Sequence, residues 1–258
     1  EKTLGKLPLD EGETPPTVFL LHDGANYRYL CDEAAKATPG IAGYLRVAKE
    51  SVGFTLPRLP FTAYFEDKTT QEESNPTLSA LHNIAHLWLR KAYGELPLWL
   101  KEGIATGLEE KVSGTVYGNW NVGGFIWQWT HGSWRKRAKE FVTGTDDVVE
   151  AYDWTDTPFG TEPPMVKMVR PTLFDLYSYR ATTYREEMAH MAFAFAIYGL
   201  EKNPGGLKKF CKNLKKEYDA NWITVGRFEP SAEWTEGAVL KAFGKNYYEK
   251  FPEWWLEQ

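Results

Sequence analysis

Apolar residues recur along most of this chain at helical spacing, interrupted near its start by short runs that read as strands. Thr17 to Leu21 is an apolar run closed by Asp23-Gly24, and Phe61 to Phe65 is a second. Between them, Ala25 to Ala37 and Ile41 to Val52 carry apolar side chains three and four residues apart. Pro39-Gly40 separates the two, so the pattern predicts a pair of helices. Residues 1–16 are rich in Pro, Gly and charge and read as an extended arm.

A longer helix is predicted from Pro76 to about Tyr93, with Asn75 as its cap and Pro76 in its first turn. Gly94 to Pro97 reads as a turn, and Leu98 to Glu110 as the next helix. From Val112 to Pro171 the periodicity gives way to Gly, Pro, Trp and Asp, which predicts a long, partly irregular insertion with one helix around Trp134 to Val142. Helical periodicity returns over residues 182–218, and Ser231 to Gln258 predicts one more helix and a Trp-rich end. The expected fold class is therefore α+β. Residues 1–75 form an arm and a small α/β lobe, packed on a mainly helical lobe over 76–258 that carries the insertion at about 112–171.

Composition narrows the choice of function. At 258 residues, 43% hydrophobic and 25% charged, the chain can bury a full core as one large domain or two closely packed lobes. A net charge of −5 argues against a nucleic-acid partner, whose phosphates need a basic surface. The longest apolar run, Met188 to Leu200, is interrupted by His190 and is shorter than the ~20 residues of a membrane span. The chain opens at Glu1 with no apolar leader, as a processed export product does, so a periplasmic, lumenal or extracellular location is the expectation. Cys31 and Cys211 lie outside any Cys-x-x-Cys pattern. Two free buried thiols are the favoured reading, and one long-range disulfide in an oxidising compartment is the alternative.

The chemistry centres on Leu81-His-Asn-Ile-Ala-His-Leu87. His82 and His86 stand four residues apart on a predicted helix, which puts both imidazoles on one face where they can share a metal ion. An isolated pair of this kind is more often structural. Sixteen residues beyond His86, however, the run Leu96-Pro-Leu-Trp-Leu-Lys-Glu-Gly-Ile-Ala105 supplies Glu102 on the next helix, across a tight turn. His82, His86 and Glu102 make a His₂Glu set that leaves a fourth position open. The alternative is a vestigial site in which the three bond to one another or to water.

The combination of H-x-x-x-H with L-P-x-W-L-x-E-G-x-A resembles the gluzincin zinc metallopeptidases of the peptidase MA-like group, relatives of thermolysin and the aminopeptidases. The segments Thr183 to Leu200, Gly205 to Leu214 and Ala238 to Trp254 resemble the helical lobe that closes such domains. The likeness runs from about Thr17 to Trp255 and is least evident over 112–171. It implies zinc on His82, His86 and Glu102, and it places Tyr184 where related aminopeptidases keep a tyrosine that supports the oxyanion. The departure is Asn83, where the family has the Glu of H-E-x-x-H. That Glu moves a proton between the zinc-bound water and the leaving amine, and a carboxamide cannot.

Trp120, Trp127, Trp129 and Trp134, four of eleven tryptophans, cluster in the insertion. They read equally as anchors for a partner and as a satellite core that pins the loop. The expected function is a degenerate zinc peptidase kept as a non-catalytic interaction or assembly subunit, with itself or in a larger complex. One rival is a working metallopeptidase whose base comes from Glu187 or an acidic residue of the insertion. Another is a carbohydrate- or peptide-binding module that uses the old cleft.

Overall fold

A computed structural model describes residues 17–49, 53–56, 61–65, 76–116, 120–121, 124–125, 133–152, 164–179, 186–221 and 228–258. The fold is α+β. Strand β1 (Thr17–Leu21) leads into α1 (Gly24–Ala37), whose N-cap Asp23 accepts a hydrogen bond from the Asn26 amide at 2.8 Å. A 3₁₀ turn over Pro39–Ile41 joins α1 to α2 (Ala42–Ala48), and β2 (Gly53–Leu56) and β3 (Phe61–Phe65) follow. The strands form one sheet in the order β1-β3-β2. β1 runs parallel to β3 with Thr17 opposite Phe61, and β2 runs antiparallel to β3 with Gly53 opposite Tyr64.

Strand alternation sends Ala63 and Phe65 to one face of the sheet, where they join Tyr27, Cys31, Leu45 and Phe54 in a small core. The Tyr27 hydroxyl closes this core by donating to the Ala48 carbonyl at 2.7 Å. Alternation sends Thr62 and Tyr64 to the other face, against which α3 (Pro76–Tyr93) packs through β2 and β3.

At the far end of α3, Gly94 adopts φ +72°, and its amide donates to the Arg90 carbonyl at 2.8 Å. This left-handed ending lets the chain reverse through Pro97 into α4 (Leu98–Ser113). α4 is the buried axis of the molecule, sandwiched between α3 and α7 (Glu186–Ile197). A Cβ on Gly103 would stand 2.3 Å from the Ala192 carbonyl oxygen, so only glycine permits the two backbones to come this close.

The remaining helices pack on α7, on α3 and on one another: α5 (Trp134–Thr143), α6 (Leu173–Tyr177), α8 (Pro204–Asn221), α9 (Ala232–Phe243) and α10 (Tyr247–Glu257). Between α7 and α8 the helix widens to a π turn over Tyr198–Lys202. The large core that results contains Trp99, Phe195, Phe210, Tyr247 and Trp255, with Trp99 edge-on to Phe195 at 5.2 Å. Cys31 and Cys211 are free and buried, one in each core.

Several elements differ from the sequence expectation. The second helix stops at Ala48 and the chain enters β2 a few residues later, because Gly53 to Leu56 pairs with β3, a cross-strand pairing that helical periodicity cannot register. The stretch expected to be partly irregular with a single helix also contains two hairpins, β4 (Trp120–Asn121) with β5 (Gly124–Phe125) and β6 (Val148–Tyr152) with β7 (Met165–Val169). The tail forms two helices, since Gly244 at φ +105° ends α9 before α10 begins. No helix of the described residues is long and apolar enough to cross a membrane. The 1–16 arm and the Asn75 cap lie outside the described residues.

Candidate metal centre

The facing sides of α3 and α4 bring the ligands together. On α3, His82 and His86 sit one turn apart with ring centroids 4.5 Å from each other. On α4, the buried Glu102 turns its carboxylate between them. His82 Nε2 lies 3.0 Å from Glu102 Oε2, and His86 Nε2 lies 3.4 Å from Glu102 Oε1. One ligand atom from each residue falls within a sphere of contacts no longer than 4.8 Å, so this buried trio can hold a metal ion. The two histidines face different oxygens of the Glu102 carboxylate, at separations near the ~3.3 Å between ligand atoms on a tetrahedral ion with bonds of ~2.0–2.1 Å. His86 Nε2 is also buried with no hydrogen-bond partner of its own, and a metal ion would satisfy it.

One residue of the centre was not found in the sequence. Glu109, two turns beyond Glu102 on α4 and fully buried, places Oε1 2.5 Å from His82 Nδ1. A carboxylate on the distal nitrogen of a ligating histidine fixes the ring's orientation and leaves Nε2 free for the metal. The signal was the seven-residue interval from Glu102 to Glu109, which returns to the same helix face, but a lone glutamate at that spacing also reads as a solvated side chain.

The electrostatics follow from burial and pairing. Burial alone would lower the His82 pKa, but Glu109 and then Glu102 stabilise its charged form and raise it to about 10. Without metal, His82 is an imidazolium whose two N–H groups donate to two carboxylates. His86 shifts the other way, its pKa lowered chiefly by burial. For Glu102, burial raises the pKa, yet the two histidines outweigh it and hold the carboxyl well below the usual carboxylate range.

The other expected site residues divide sharply. Asn83 is on α3 beside the ligands, with its Nδ2 3.5 Å from where a Cβ on Gly53 of β2 would stand. Glu187 is buried in α7 but does not join the cluster of ligand atoms. Trp134, read equally as a partner anchor and as a core residue, is a core residue of α5 and not available as an anchor. It is 3% exposed, with its ring 4.4 Å from that of His190 and 5.4 Å from that of Phe193, because the helix turns it onto α7. Tyr184, Trp127, Trp129 and the side chain of Trp120 lie outside the described residues.

Comparison with known proteins supplies no neighbour: no family model, no curated protein and no solved structure matches this chain.

Proposed function

We propose that this chain is a zinc-binding but hydrolytically silent protein of gluzincin-like design, retained as a non-catalytic interaction or assembly subunit. The observation that carries this reading is the His82, His86 and Glu102 trio, with Asn83 at the sequence position where the resembled family has its proton-transferring Glu. Zinc in a His₂Glu set supplies a Lewis acid and an acidified water when it is bound. The protein side of hydrolysis is missing, since Asn83 neither takes up nor releases a proton near neutral pH. Loss of a general base costs ~10² to 10⁴ in rate. Glu187, one of the substitute bases the sequence offers, is buried in α7 and is not one of the three grouped ligand residues.

Support for an interaction role comes from β1, an edge strand among the described residues, which exposes Val18, Phe19 and Leu20.

The test combines elemental analysis with cleavage of a broad peptide library by the wild type and by Asn83→Glu. We expect about one zinc per chain, no cleavage by the wild type, and measurable zinc-dependent cleavage by the variant. A wild-type protein that cleaves in a zinc-dependent way overturns the silent reading, and one that takes up no metal overturns the centre itself. The assembly role is checked by light scattering on the purified chain and by co-purification from its source, where a partnerless monomer would count against it.

A further inference from the structure

The hairpin of β6 and β7 has two unlike faces. Strand alternation turns Val149, Ala151 and Met168 inward, where they pack with the large core. The opposite face carries Val148, Glu150, Met165, Lys167 and Val169, all of them exposed, with Val169 at 79%, Met165 at 50% and Val148 at 47%. The solvated face of an antiparallel pair is ordinarily polar, whereas the described residues here are polar only in the middle. The register sets Val148 opposite Val169 and Glu150 opposite Lys167. An apolar pair, then an acid beside a base, then Met165 therefore follow one another along the face.

This pattern is complementary to itself. When a second copy lays the same face over the first, about a two-fold axis parallel to the strands, each Glu150 stands over Lys167 of the other copy and each Val148 over Val169 of the other copy. Aligned sheets stack ~10 Å apart, within reach of a glutamate and a lysine extended toward each other. About an axis across the strands, Glu150 would instead meet Glu150. Edge-to-edge pairing centred on these residues would likewise set Glu150 beside Glu150 or Lys167 beside Lys167, and like charges directly opposite destabilise a strand pair. We propose that the outer face of the β6–β7 hairpin is a homodimer interface, on which a second copy of this chain docks through the same residues. The inference supplies a partner for the assembly reading above and rests on that reading, not on the metal. A face two strands wide is small against the ~800 Å² per partner of a standard complex, so the dimer is expected to be weak and concentration-dependent.

The experiment is sedimentation velocity on the full chain, from micromolar to near-millimolar concentration. The wild type should shift from monomer toward dimer as the concentration rises. Glu150→Lys and Lys167→Glu each leave a single sign of charge on both facing surfaces, and each should weaken self-association by about tenfold or more. The double variant Glu150→Lys/Lys167→Glu exchanges the two charges and should regain the dimer. An equimolar mixture of the two single variants should also associate where neither does alone, a rescue that mere damage to the hairpin would not give. Single variants that associate as strongly as the wild type, or a double variant and a mixture that both stay monomeric, overturn the inference. A wild type that is monomeric throughout but co-purifies with a different protein overturns this inference alone. A monomer with no partner overturns it together with the assembly reading.

Discussion

The sheet lobe closes around a small aromatic knot of Tyr27, Phe54 and Phe65, with ring centroids 4.9 to 5.8 Å apart, and leaves one strand edge with apolar side chains exposed to solvent. The helical lobe is organised around α4, which is buried along much of its length against α7 on one side and α3 on the other. The three candidate ligands belong to α3 and α4, and among the described residues the sheet meets this flank of α3 through Gly53 of β2, beside Asn83. Ligands confined to α3 and α4 tie the centre's integrity to the packing of those helices, and the small sheet core around Tyr27 is expected to vary without disturbing them.

The hardest test of this contrast is Gly103→Val. With 2.3 Å between an added Cβ and the Ala192 oxygen, α4 and α7 must separate. The expected outcome is a chain that fails to fold or has lost several kcal/mol of stability in urea unfolding. A folded variant with unchanged metal uptake would break the link between α4 packing and the centre.

Next in size is His82→Ala, which removes one ligand and the partner of two buried carboxylates. Stoichiometric metal uptake should be lost, as read by elemental analysis after dialysis. Glu109→Gln keeps the shape but weakens the hold on the His82 ring, and metal affinity measured by chelator competition should fall ~10- to 100-fold.

The pH dependence sharpens the same point. Because the His82 pKa is raised to about 10 from the ordinary 6.5, its stabilising contribution in the metal-free protein is complete below about pH 6.5 and is lost as the pH rises through about 10. The urea midpoint of chelated protein should therefore decline across that window. Glu102 acts at the other end: its contribution is present above its ordinary value and is lost only in strong acid. Metal affinity should rise with pH over the range where the chelated protein weakens, since the ring must give up a proton to ligate.

The smallest effect belongs to the sheet lobe. Tyr27→Phe removes the hydrogen bond to the Ala48 carbonyl and should cost about 1 kcal/mol while leaving metal affinity unchanged. A change in affinity would show that the two lobes are coupled after all.

What could be read in advance follows the range of the interaction involved. His82 and His86 were legible because four residues on a helix is a fixed geometry, and Glu102 because its helix is announced by a short turn and a dense apolar run. β1, β3 and most helices were legible for the same local reasons. β2 was not, since a four-residue strand is defined by its partner across the sheet, and the hairpins after α4 were missed on the same ground. Trp134 stayed undecided between anchor and core because its burial depends on where α5 docks against His190 and Phe193. Glu109 was hidden because nothing local distinguishes a buried glutamate from a solvated one.

The short turn through Gly94 to Pro97 also bears on how the chain acquires its structure. His82 and Glu102 are twenty residues apart and Glu109 is seven further on, so the ligands meet inside a single helical hairpin whose closure costs little chain entropy. Contacts of such low order can form before the distant pairing of β1 with β3. Metal present during refolding would then accelerate folding itself, and the hairpin would serve as a nucleus around which the later helices assemble.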